Sequence, residues 1–122
     1  GGGDAALLFS RVSVRGEWIW NRFETPFTGN LDLTGYFVEC EGTPLTGLSI
    51  AARWEEMLFR HVTDSNGDRH RWDEPVKRIE VGAVYRVHAD LSLRASTQIT
   101  SFGAAGFEDN GRVDALQLSV SF

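Results

Sequence analysis

Leu116-Gln117-Leu118-Ser119-Val120-Ser121-Phe122 is the stretch whose reading decides the fold. Apolar side chains fall at 116, 118, 120 and 122, with polar ones between them. Successive side chains of a β-strand point to opposite sides, so a period of two marks a strand with one oily and one wet face. Arg112–Phe122 is therefore expected as a strand. In water, a free strand edge beside an apolar row invites edge-to-edge aggregation. The same row is stable where it faces hydrocarbon and the strand is paired on both sides in a closed barrel.

Working back from that strand, the same alternation recurs. Over Leu91–Phe102, Leu91, Leu93, Ala95 and Ile99 oppose Ser92, Arg94, Ser96 and Gln98. Over Val76–Val87, Ile79, Val81, Ala83 and Tyr85 oppose Arg78, Glu80, Gly82 and Arg86. Over Leu48–Arg60, Leu48, Ile50, Ala52 and Trp54 oppose Ser49, Ala51, Arg53 and Glu55, until Glu56 interrupts the oily row. Ala5–Arg22 reads as one long strand, with Val12, Val14, Trp18 and Trp20 on one side and Arg11, Ser13, Arg15, Glu17 and Asn21 on the other. Such a length exceeds the roughly 5–6 residues usual in soluble sheets and suits a tilted membrane-crossing strand of ~9–11 residues that extends past the bilayer. Leu31–Glu41 is a strand with two possible phases. Leu31, Leu33 and Phe37 mark one outward face; Tyr36, Val38 and Cys40 mark the other, with Glu39 and Glu41 inward, and a bulge would reconcile them.

These segments make six strands, and the connections alternate: long over 24–30, short over 42–47, long over 61–75, short over 88–90, long over 103–111. Outer-membrane meanders have this asymmetry of short turns at one end and long loops at the other. With six strands, both chain ends fall on the short-turn side. No stretch has a helical period. The expected fold is all-β, an antiparallel up-and-down meander of about six long strands that forms part or all of a transmembrane β-barrel. Residues 1–122 would be a single barrel domain or the C-terminal segment of a larger one.

Composition bounds the function classes. The chain has 122 residues, 42% hydrophobic and 24% charged, which is the make-up of a folded protein. A net charge of −5 without a basic stripe argues against nucleic acid as a partner, since Arg69, His70 and Arg71 sit among Asp64, Asp68, Asp73 and Glu74. No apolar run approaches the ~20 residues of a membrane-spanning helix, so any membrane crossing is by strands. Gly1-Gly2-Gly3-Asp4 has neither the basic start nor the apolar centre of a signal peptide. The single Cys40 is expected as a small apolar residue, buried or facing lipid. Asp64-Ser65-Asn66-Gly67-Asp68 spaces oxygen groups as a calcium loop would, but its glycine precedes the third ligand and Pro75 stands where a bidentate glutamate belongs. It reads as a polar Asn-Gly turn. His61, His70 and His88 lack ligand spacing. No metal or cofactor is expected. With no nucleophile-elbow sequence and no paired-carboxylate motif, neither is an enzyme.

Three runs carry a wider likeness: Tyr36-Phe37-Val38-Glu39, Ala51-Ala52-Arg53-Trp54-Glu55, and Trp72-Asp73-Glu74-Pro75 continuing through Val76–Tyr85. Together with the alternating end on Phe122, they resemble the C-terminal part of porin-like bacterial outer-membrane β-barrel proteins. The resemblance covers most of the chain from about residue 15 onward, and much of it is the alternation itself. It implies residence in the bacterial outer membrane, with outer-membrane lipid as one partner and the barrel-assembly machinery as another. The assembly machinery would read Leu116, Leu118, Val120 and Phe122. Those proteins are much longer, and six strands fall short of the ~8 of a small single-chain barrel. The remaining strands of a larger barrel, or further copies of the chain, are therefore also expected as partners.

The wet face carries Arg11, Arg15, Glu17, Glu39, Arg53, Glu55, Arg78, Glu80, Arg86 and Arg94. In a water-filled lumen these would line a pore and sort small polar solutes by charge and size. The plainer alternative is that they pair across strands and fill the interior. A second fold-level reading turns the barrel inside out: a soluble, calycin-like β-barrel whose apolar face surrounds a small hydrophobic ligand.

Overall fold

The computed structural model describes all residues except 26–28, 64–65, 104–109 and 122. It is all-β. The strands are β1 (Gly2–Leu8), β2 (Val12–Thr25), β3 (Gly29–Leu45), β4 (Leu48–Phe59), β5 (His61–Thr63), β6 (Arg69–Arg71), β7 (Val76–His88), β8 (Leu91–Phe102) and β9 (Asn110–Val120). Seven of them form one sheet in the order β1-β2-β3-β4-β7-β8-β9, each antiparallel to its neighbour, while β5 and β6 make a separate two-stranded hairpin.

The meander is as expected, with corrections. Ala5–Arg22 is not one strand: the chain reverses at residues 9–11, and β1 lies back along β2, with Leu8 opposite Ser13 and Gly2 opposite Ile19. No glycine, proline or asparagine marks the reversal at Phe9-Ser10-Arg11, and the apolar run Ala5–Phe9 leads straight into the alternation of β2. The sheet therefore has seven strands rather than six. The start of β1 also lies at the opposite end from the close of β9, so the chain ends do not share the short-turn side. The sheet is open. β1 pairs only with β2 and β9 only with β8, so the chain alone does not close a barrel. Within the connection 61–75, the β5–β6 hairpin was also unforeseen.

β3 settles the ambiguous phase. It pairs with β2 in unbroken register from Gly29 to Gly42, and its one register shift against β4 falls between Gly42 and Leu45. No bulge divides 31–41. Tyr36, Val38 and Cys40 share a face with Trp18, Val14, Trp54 and Ala52, while Leu31, Leu33 and Phe37 lie on the charged side. The turn after β3 uses Gly47 at φ +83°, where an L side chain would be strained and a Cβ would meet the Arg86 carbonyl oxygen at 3.1 Å.

No hydrophobic residue is buried among the described residues. A soluble domain of this size normally gathers a core. Here Trp18, Ile50, Val81 and Leu118 are 49%, 42%, 42% and 63% exposed on one common face.

Candidate functional site: a charged face and an apolar band

Cross-strand register sorts every side chain to one of two faces. The first is a band of Val12, Val14, Val38, Cys40, Ile50, Ala52, Val81, Ala83, Leu93, Ala95, Leu116 and Leu118, interrupted on β9 by Asp114, in the row of Val81 and Thr97, and by Arg112, the two paired at 3.0 Å. Cys40 is exposed in this band rather than buried. On β2 the band runs from Val12 to Trp20, roughly 26 Å of strand at ~3.3 Å per residue, or roughly 20 Å if tilted by ~40°. Its long-loop border is aromatic: Trp18 lies opposite Tyr36, and Tyr36 meets Trp54 edge to face at 5.4 Å. Beyond that border the same face turns polar. Tyr36 donates a hydrogen bond to Glu56, and Glu56 pairs with Lys77 at 3.5 Å.

Two steps further along the same face, past the row of Trp20, Thr34 and Leu58, sits Asp32, 5% exposed. Arg22 grips its carboxylate with two hydrogen bonds, at 2.7 and 3.0 Å, and Arg60 adds a third at 2.8 Å. The Trp72 indole N–H and the Arg60 backbone N–H both donate to the Asp32 carbonyl oxygen, at 3.1 and 3.0 Å. Trp72 also stands edge-on to Phe59 at 4.8 Å. This node ties the base of the β5–β6 hairpin to the sheet. Its guanidinium partners, Arg22 first, hold the Asp32 carboxyl at about 2, well below the ordinary carboxylate range. The charges could be read from the sequence, but the node could not, because Arg22, Asp32 and Arg60 meet only through the pairings of three strands.

The second face carries the expected lining. Arg15, Glu17, Glu39, Arg53, Glu55, Arg78, Glu80, Arg86 and Arg94 all share it, whereas Arg11 lies just outside β2, in the bend before it. Half of this set is joined in one cross-strand ladder. Arg15 pairs with Glu39 at 2.8 Å, Glu39 with Arg53 at 3.8 Å, Arg53 with Glu55 at 3.0 Å, and Glu55 with Arg78 at 2.6 Å. Arg78 ends the row by donating to the Thr100 hydroxyl at 3.4 Å. Alternating signs on adjacent strands satisfy one another directly, as opposite-charge cross-strand pairs do. Glu17, Glu80, Arg11, Arg86 and Arg94 enter no ion pair among the described residues.

Phe37 is a residue that sequence reading missed at this site. It lies in the ladder, with the Arg53 guanidinium 4.1 Å and the Arg15 guanidinium 6.0 Å from its ring centre. The Glu39/Glu41 phase on β3, once adopted, would have placed it there. Above the ladder the charged face becomes apolar, with Ile19, Met57, Val76 and Phe102. These residues, with Glu17, Phe37 and the ladder's Arg53, Glu55 and Arg78, line one hollow of about 520 Å³ to which β2, β3, β4, β7 and β8 all contribute.

Leu116, Leu118 and Val120 of the expected assembly signal lie on the apolar face, 75%, 63% and 52% exposed, while Phe122 is outside the described residues. So are Asp64 and Ser65 of the polar 64–68 turn; Gly67 in that turn has φ +89°. His61 and His70 sit on the β5–β6 hairpin, in the pairs His61–Arg71 and Val62–His70. No cluster of three or more metal-ligating side chains occurs among the described residues. Comparison with protein-family models, with curated proteins and with solved structures finds no match to this chain.

Proposed function

We propose that this chain is the wall segment of a porin-like bacterial outer-membrane channel, which passes small polar solutes through a charged, water-filled lumen. The observation that carries the proposal is the sorting of faces. A tall apolar band with an aromatic border is left uncovered on one side of the sheet, and a ladder of paired charges lies on the other. Hydrocarbon suits the band across β2 to β8 and water suits the ladder, and on β9 the Arg112–Asp114 pair neutralises the two charges that interrupt the band. The calycin-like alternative needs the apolar face gathered inward around the ligand, whereas no hydrophobic side chain is buried among the described residues.

The open edges point to further strands. In an odd-numbered antiparallel sheet the first and last strands run in the same direction, so β1 and β9 are parallel. Copies of this chain joined edge to edge in one orientation would need a parallel β9–β1 seam, which is slightly less stable per residue. An odd number of additional strands instead closes an all-antiparallel barrel of even count, the arrangement of bacterial single-chain barrels. This favours the rest of a larger barrel over a ring of copies.

The test is solubility and permeability. The protein should need detergent to stay monodisperse, keep a folded mobility in SDS until heated, and make liposomes swell in isotonic solutions of small sugars. A monodisperse, cooperatively melting monomer in plain buffer would overturn the membrane reading. Folded protein in vesicles that do not swell would overturn transport.

A further inference from the structure

The short-turn end of the charged face differs from its middle. There, Arg11 and Arg86 line one hollow of about 420 Å³ together with Thr43, Leu45, Thr46, Gly47, Leu48, Ser49 and Val84. Arg94 stands directly opposite Val84 on the next strand, diagonal to Arg86, whose partner in register is Ser92. None of these arginines has an ion pair among the described residues, whereas Arg15, Arg53 and Arg78 on the same face are all paired. Glu41, opposite Ser13 at the head of β2, lines an adjoining hollow with Arg11 and Thr43 without an ion pair to Arg11 among the described residues. Charges that face only one another make a wall. Cations left over beside hydroxyl groups make a receptor.

We propose that this hollow is a binding site for small oxyanions, a phosphate or a carboxylate, at the short-turn mouth of the channel. The Arg11 and Arg86 guanidiniums supply planar paired donors suited to such oxygens, and the Thr43, Thr46 and Ser49 hydroxyls add neutral donors. Arg94 adds positive potential beside the hollow and draws anions toward it. In the wall, the self-neutralised ladder next to it offers a permeating anion no competing sink. The inference rests on the channel reading for its purpose, but not for its chemistry. The site exists wherever this face is wet.

The test uses the full chain in non-ionic detergent, titrated with inorganic phosphate at low ionic strength and read by calorimetry and by ³¹P line broadening. Saturable binding is expected. It should weaken steeply with added salt, fall at least tenfold in Arg86→Gln and in Arg11→Gln, and survive in Arg86→Lys better than in Arg86→Gln. Arg112→Gln, on the opposite face of β9, serves as the control and should bind as the parent does. Absence of saturable phosphate binding, or equal binding by Arg86→Gln and Arg112→Gln, would overturn the proposal. Neither result bears on detergent dependence or heat-sensitive mobility, so failure of the site and failure of the membrane reading are told apart.

Discussion

Val81→Arg is the sharpest probe of which solvent meets the apolar face. Val81 lies on β7, opposite Ala52 on β4 and Thr97 on β8, and is 42% exposed. With neighbours on both sides, the substituted side chain cannot escape over a strand edge. If the band lies in a bilayer, an arginine near its midplane costs ~2–4 kcal/mol, or roughly 30- to 700-fold in the folding equilibrium. If the band lies in water, a half-exposed surface substitution costs within roughly 0.5 kcal/mol. Two companions calibrate the measurement. Leu58→Arg is on the same face but beyond Glu56, at the border, where ~0–1 kcal/mol is expected. Ser96→Arg is on the charged face, opposite Gly82, and should behave as a surface change. The assay is reversible folding from urea into lipid vesicles, followed by tryptophan fluorescence. The expected order of cost is Val81→Arg well above Leu58→Arg and Ser96→Arg. Equal costs for Val81→Arg and Ser96→Arg would refute the assignment of faces.

Other expectations follow from the same geometry. Stability should have an acid branch set by Asp32: its folded value of about 2 lies below the ordinary 3.8, so the contribution is full above that ordinary value and disappears as pH falls through about 2. Urea midpoints measured from pH 1.5 to 5 should show this branch in the parent and lose it in Asp32→Asn; an identical slope in both would count against the node. Arg53 and Phe37 should couple by roughly 0.5–1 kcal/mol in a double-mutant cycle using Arg53→Met and Phe37→Leu, and additivity within error would remove the stacking contact from the account. A nitroxide on Cys40 should collide with dissolved oxygen more than with a nickel chelate in vesicles, and one at Glu39→Cys in a Cys40→Ala background should show the reverse. Matching profiles would mean that neighbouring residues do not face different solvents.

The two-residue period is a local property, so it was legible residue by residue. It identified β3, β4, β7, β8 and β9, and it put Arg15, Arg53, Glu55 and Arg78 on one side and Val81 and Leu118 on the other. It failed where locality ends. The chain reverses at Phe9-Ser10-Arg11 without a glycine, proline or asparagine to mark it, so β1 and β2 read as a single strand. At 31–41 both faces of β3 carry apolar residues, and only unbroken pairing with β2 and β4 could select the phase. The partners within the Arg–Glu ladder and at the Asp32 node depend on register between strands far apart in sequence, which no composition or spacing encodes. The sequence by itself determined an antiparallel ribbon with one oily and one charged side. The tertiary structure decided that the ribbon has seven strands and stays open at β1 and β9, because edge pairing is a property of the assembled sheet.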